Sequence, residues 1–183
     1  MNYCSQCGAG IERCIPPGDD RPRFVCEACG TIHYQNPKLV VGCIPEWGEK
    51  IILCRRAIEP RQGKWTLPAG YLENGETASD GAIRETLEEA CVQVKIIHPY
   101  ALYSIPSINQ VYLMFRARLM DPNYKAGSES LEVRLFSEDE IPWGHLAFRV
   151  IERTLERYYS DRLSGEYRFH MDDIRIHKTD SPR

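Results

Sequence analysis

Between Gly70 and Val92 the chain reads GYLENGETASDGAIRETLEEACV, and few folds can accommodate what that stretch demands. Glu76, Glu85, Glu88 and Glu89, together with Arg84, are set around a single predicted helix. Thr77 followed by Asp80 reads as a capping box that opens it. Ala82, Ile83, Leu87 and Ala90 then recur at helical spacing and predict one apolar stripe. Glu85, Glu88 and Glu89 stand at i, i+3 and i+4, so their carboxylates meet on another face. Like charges at that spacing repel by roughly a few tenths of a kcal/mol per exposed pair. A divalent cation removes the repulsion. Mg²⁺ or Mn²⁺, hard ions that take oxygen ligands and share them with phosphates, fit best. A solvated acidic helix face is the competing reading of the triplet taken alone.

The flanking residues decide between the two. Gly70 follows an extended Trp65-Thr66-Leu67-Pro68 segment, and a loop containing Asn74-Gly75 leads into Glu76. The order is therefore Gly, five residues, Glu, seven residues, Arg-Glu, two residues, Glu-Glu. This pattern resembles the Nudix hydrolases. Two positions depart from it: Thr86 replaces an aliphatic residue and Cys91 replaces the glycine that ends the helix. Both bear on the helix end and neither on a metal-binding oxygen.

The resemblance implies an α/β fold, the Nudix α/β/α sandwich with a mixed sheet. It also implies that the Gly70 carbonyl joins the metal shell and that Arg84 and Glu76 form an ion pair bracing loop against helix. Related enzymes take one more glutamate from a later loop, as ligand or general base. Glu129 is the candidate, seven residues before Phe136 in a stretch similar to the family's pattern, with Glu132 as the alternative. The implied chemistry is cleavage of a diphosphate link, which is inert because its negative oxygens repel hydroxide. Divalent ions would neutralise that charge, orient the diphosphate and acidify a water.

Cysteine spacing marks a second feature. Cys4 and Cys7, then Cys26 and Cys29, form two CxxC pairs separated by 18 residues, each followed by a glycine. That spacing predicts a structural Zn²⁺ site with all four ligand positions filled. A redox CxxC would be a single motif beside a βαβ pattern. A ribbon of this size buries little core, so the metal would supply most of its folding energy. Cys14 lies outside the spacing. Cys43 and Cys54 fall inside predicted strands and read as small buried hydrophobes, and His33 reads as a packing or hydrogen-bonding residue.

With 183 residues, 43% of them apolar and 27% charged, the chain has the composition of a folded domain with a small appendage. A net charge of −3 without a basic run gives no reason to expect nucleic acid as a partner. The first residues carry neither a charged leader nor an apolar core, and no apolar run is long enough to span a bilayer. A cytoplasmic protein is the expectation.

The organisation read from the sequence is a zinc ribbon over 1–34, a hydrolase domain over 35–165 and a tail over 166–183. Leu39–Ile44 and Lys50–Arg55 predict a hairpin turning over Pro45–Glu49. Val92–Tyr100 and Gln110–Leu119 read as strands, with a substrate-facing loop over Leu102–Tyr112. A short strand is predicted over Val133–Phe136 and a helix over Leu146–Tyr159, and the chain beyond Asp161 reads as frayed. Arg56, whose guanidinium fork matches phosphate geometry, and Tyr112 are candidates for substrate binding, although solvated surface arginines are as good a reading of Arg55, Arg56 and Arg61.

A zinc ribbon before such a domain resembles the NADH diphosphatases, but Tyr103–Gln110 does not match their proline- and tryptophan-rich motif. Closer resemblance, carried by QNPK at Gln35, WTLPAGYLE at Trp65, IPSINQVY at Ile105, ESLEVRLFSEDEIP ending at Pro142 and LAF at Leu146, is to zinc-ribbon Nudix hydrolases typified by the plant FAD diphosphatase. It implies small nucleotide substrates, FAD and ADP-ribose foremost, with AMP as a product. NADH, dinucleoside polyphosphates and a non-catalytic nucleotide-binding role are the alternatives, and a homodimer fits the resemblance.

Overall fold

A computed structural model describes residues 1–175 of the protein. They fall into two units, Met1–Asn36 and the chain from Pro37 onward. In the first unit, β1 (Ile11–Cys14), β2 (Arg23–Cys26) and β3 (Ile32–His33) form a three-stranded antiparallel sheet. Its two CxxC turns close alike. Gly8 N–H donates to the Cys4 carbonyl at 2.9 Å, and Gly30 N–H to the Cys26 carbonyl at 2.8 Å. Both glycines sit at positive φ, 74° and 72°, where a Cβ would cost about 1–2 kcal/mol.

The second unit is built on alternation. Along β4 (Lys38–Trp47) and β5 (Lys50–Arg56), Val41, Cys43, Ile52 and Cys54 face one core while Ile44, Ile51 and Leu53 face another. A strand with apolar residues on both faces must be covered on both. β6 (Trp65–Thr66) and β7 (Ala69–Tyr71) are short strands pairing with β5 and β4. Then come α1 (Ala78–Ala90), β8 (Val94–Ile105), β9 (Gln110–Leu119), β10 (Ser130–Phe136), α2 (Arg149–Ser164) and β11 (His170–Asp173). The main strands run in the order β10-β5-β4-β9-β8-β11. β4 with β9 and β8 with β11 are parallel and the other pairs antiparallel, so the sheet is mixed. α1 covers the face of Val41 and Cys43, and α2 covers the face of Ile44 and Leu53. This is an α/β/α sandwich. Val150, Ile151 and Leu155 of α2 are almost wholly buried, each worth about 1.5–3 kcal/mol. Among the described residues no helix is long and apolar enough to cross a membrane.

Four local expectations are corrected. β4 continues through Pro45 to Trp47, leaving Gly48-Glu49 as the turn, because its parallel ladder with β9 runs from Lys38–Gln110 to Glu46–Arg118. Most of the expected loop over Leu102–Tyr112 is strand. Only Pro106–Asn109 turns, through a 3₁₀ helix that Asn109 ends at φ 52°. The second helix starts at Arg149 and runs to Ser164 rather than spanning Leu146–Tyr159.

The chain beyond Asp161 is ordered at least to Arg175. β11 pairs in parallel with Ala101–Ser104, and Ile174 N–H donates to the Ser104 carbonyl at 2.8 Å. Asp161 ties this strand to α2, accepting from Tyr100 Oη at 3.0 Å and meeting His170 Nε2 at 2.7 Å. Residues 176–183, the last part of the tail expected over 166–183, lie outside the described residues.

Candidate active site

α1 begins at the predicted cap with half of the expected capping box. Thr77 Oγ1 accepts from Asp80 N–H at 3.2 Å, and the Asp80 carboxylate accepts from the Thr77 hydroxyl at 2.7 Å. Its buried stripe differs from the expected one: Gly81, Ala82, Thr86, Glu89 and Ala90 face inward, while Leu87 is half exposed. Thr86 takes an aliphatic place because its hydroxyl donates to the Ala82 carbonyl at 2.7 Å, so no polar atom is stranded. At the C-terminus Cys91 adopts φ 52° and its N–H donates to the Leu87 carbonyl, a glycine's conformation held by a cysteine.

The loop after β9 docks on this helix end. Lys125 N–H donates to the Ala90 carbonyl and Gly127 N–H to the Glu89 carbonyl, both at 3.0 Å. These bonds satisfy carbonyls that a helix end leaves free. Ala57 N–H, at the end of β5, donates to the Glu129 carbonyl at 2.8 Å. Glu129 is thereby carried to the helix from 40 residues along the chain from Glu89.

Gly70, Arg84, Glu85, Glu88, Glu89, Glu129, Arg56 and Tyr112 all line one cleft of about 710 Å³, within the usual range of small-molecule sites. Gly70 is pressed against the Glu85 carboxylate so closely that any Cβ there would overlap it. Glu132 points elsewhere, to Arg55 at 3.7 Å. Glu76 stands behind the cleft and holds Arg84 in a two-bond fork, Nε at 3.0 Å and Nη2 at 2.7 Å. Arg84 also donates to Glu85 at 2.7 Å, to Glu88 at 3.1 Å and to the Tyr71 carbonyl at 3.1 Å. One guanidinium thus fastens β7, the loop and α1 together.

Electrostatics separate these carboxylates. Arg84 and the Glu73 N–H hold Glu76 down to about 2. Burial, followed by the Glu85 charge, pushes Glu89 up to about 8. Burial also raises Glu85, against the pull of Arg84. A carboxyl so buried and crowded by like charge gains from a neighbouring cation. The donors are all oxygens and line an open cleft, which suits a hard divalent ion that shares its shell with phosphate.

The cysteines form a different kind of site. The Sγ atoms of Cys4, Cys7, Cys26 and Cys29 lie within 4.8 Å of one another, the only such set of three or more metal-ligating side chains among the described residues. Cys4 and Cys29 are 3.7 Å apart, and Cys7 and Cys26 are 3.5 Å apart. A Zn–S bond of about 2.3 Å gives a tetrahedral edge of about 3.8 Å, so zinc fits. Thr31, through its hydroxyl and its backbone, lowers Cys29 to about 6 and favours the thiolate. His33 Nε2 stands 3.3 Å from the Cys4 sulfur as an outer partner.

Several cleft residues escaped sequence reasoning. Tyr71, Gln110 and Phe148 line the same walls. Gln110 donates to Tyr71 Oη at 3.0 Å, Lys38 Nζ sits 4.7 Å from the Tyr71 ring, and Arg56 lies 5.2 Å from the Phe148 ring. Each stands in a stretch whose resemblance is noted above, but no local spacing links them.

Fold and cleft together are those of a Nudix-type hydrolase. The chain belongs to the Nudix family: the NUDIX domain model matches residues 36–156, and the Nudix N-terminal zinc-ribbon model matches residues 2–35. It is similar to a crystal structure of a NUDIX hydrolase from Nitrosomonas europaea, with 57% identity, TM-score 0.94, and coverage of 96% of this chain and all of that one. A protein named ADP-ribose pyrophosphatase from Methanocaldococcus jannaschii is 29% identical over 60% of this chain and 67% of its own length. The NAD-capped RNA hydrolase NudC of Vibrio vulnificus is 28% identical over 88% of this chain. The match spans 62% of that relative's length.

Proposed function

We propose that the protein hydrolyses the diphosphate link of nucleotides of the form ADP–X, with FAD and ADP-ribose foremost, releasing AMP. The observation that carries this reading is the convergence of Gly70, Glu85, Glu88, Glu89 and Glu129 in one cleft with a wall of Tyr71, Tyr112 and Phe148. Acidic residues and aromatic rings lining one cleft suit a ligand with a diphosphate and a base. The ADP-ribose pyrophosphatase named among the relatives supports the substrate class.

In this reading Glu85, Glu88, Glu89 and the Gly70 carbonyl hold Mg²⁺ or Mn²⁺. The ion supplies charge neutralisation and Lewis acidity at the diphosphate. Glu129, at the rim of the cleft and exposed, orients the attacking water and receives its proton. Arg56 meets the phosphates. Arg84 and Glu76 keep the glutamates in register. NADH is the second reading, favoured by the extent of the NudC match across ribbon and domain, although Tyr103–Gln110 departs from the NADH diphosphatase motif. A homodimer belongs to the proposal as well: Leu163, Phe169 and Met171 expose apolar surface near β11, at the sheet's edge, and light scattering that returns a monomer mass would remove it.

A hydrolysis panel of FAD, ADP-ribose, NADH and dinucleoside polyphosphates with Mg²⁺ or Mn²⁺ tests the reading, with Glu89→Gln as control. AMP release from FAD or ADP-ribose, reduced more than about 100-fold in the variant, is expected; loss of a metal ligand's neighbour alone costs about 10–100-fold. A panel flat for every substrate, with nucleotide still bound, would turn the cleft into a binding site.

A further inference from the structure

A second cavity, of about 350 Å³, adjoins the cleft and shares the side chains of Ile108, Tyr112 and Phe148 with it. Its own lining is apolar, from Ile105, Val150 and Ile174, and two exposed arginines, Arg61 and Arg149, stand at its edge. Arg61 is held at φ 67°, a left-handed conformation rare outside glycine, and such strain gathers where a side chain must be aimed. Ile174 comes from the segment that β11 attaches to the sheet, fixed by the Ile174–Ser104 hydrogen bond and the Asp161–His170 contact.

We infer that this annex receives the planar heteroaromatic ring at the far end of a dinucleotide, the end that does not carry AMP. The inference rests on the proposed diphosphatase reading and narrows its substrate class. A cavity at the small end of the ligand-pocket range holds one ring system. Apolar walls suit the ring faces, and arginine donors suit carbonyl oxygens on a ring edge. A sugar phosphate offers hydroxyls and no flat apolar face, so it gains nothing from Ile105, Val150 and Ile174. Dinucleotides such as FAD or NADH should therefore be preferred over ADP-ribose through contacts remote from the carboxylates.

Two variants test this without touching the carboxylate cleft: Ile174→Trp, which fills the annex, and Arg61→Ala, on an exposed side chain that cannot collapse a core. Steady-state kinetics would compare ADP-ribose with whichever of FAD and NADH the wild type cleaves faster. Each variant is expected to lower kcat/KM for the dinucleotide at least tenfold, mainly through KM, and to leave ADP-ribose within twofold. Equal losses for both substrates, or no loss for either, overturn the inference. Should Ile174→Trp fail to fold, Arg61→Ala decides it. Should the wild type hydrolyse neither class, the diphosphatase reading fails and FAD fluorescence titration decides the annex. Binding weakened tenfold in Arg61→Ala sustains it; unchanged binding, or none in the wild type, ends it.

Discussion

Glu89 shows how one side chain can set the pH behaviour of the site. Burial and the neighbouring Glu85 push it up to about 8 in the folded chain, whereas an unfolded glutamate titrates near about 4.3. Between those limits the folded state holds the extra proton. Stability of the protein stripped of divalent ions therefore falls as pH rises through that window. Urea midpoints measured with chelator at pH 5 and pH 8 should show the fall, and Glu89→Gln should weaken it; a variant with the wild-type slope would assign the effect to other groups. Arg84 offers a complementary test. Lysine keeps its charge but not the fork to Glu76, so Arg84→Lys should lower kcat about 10–100-fold with the fold intact by circular dichroism. Cys91, at φ 52° where a side chain is strained, predicts the opposite sign: Cys91→Gly should stabilise the protein by about 0.5–1 kcal/mol in a denaturant titration.

Elements, more than residues, explain why parts of the molecule resisted sequence reading. The length of β4 follows from its parallel ladder with β9, a partner more than 60 residues away, so local turn residues at Pro45–Glu49 misplaced its end. β11 is polar and short, and its exposed Met171 and Asp172 look like a frayed end. It is a strand only because β8 offers an edge and Asp161 accepts from Tyr100 Oη and contacts His170. Removing that carboxylate should loosen this element before any other. Hydrogen exchange at Ile174 N–H in Asp161→Ala is expected to quicken by about tenfold or more, the consequence of losing contacts worth about 1.5–3 kcal/mol. Exchange no faster than in the wild type would show that the β8–β11 ladder holds without them.

At the scale of the whole molecule, each of the two units carries a candidate metal site of its own kind. Neither hydrophobic core of the second unit includes a residue before Leu39, whereas the ribbon buries Cys4 and Cys26 of its four cysteines and little else. Metal analysis should find one zinc per chain, lost in Cys4→Ser, and a chelated protein resupplied with Mg²⁺ should keep its diphosphatase activity. Loss of that activity along with the zinc would mean that the second unit depends on the ribbon. Both candidate metal sites were legible in the sequence because each motif is local: two CxxC turns place thiolates in pairs, and a helix places carboxylates at i, i+3 and i+4 on one side, although among the described residues only the cysteine ligand atoms come within 4.8 Å of one another. The resemblance also indicated the sandwich. Tertiary structure alone decided that Glu129 rather than Glu132 reaches the cleft, that Glu89 is buried beside Glu85, and that Phe148 and Ile174 line a cavity shared with Tyr112. Those outcomes depend on which distant segments share a sheet edge, and no periodicity along the chain encodes pairings that only the closed sheet brings together.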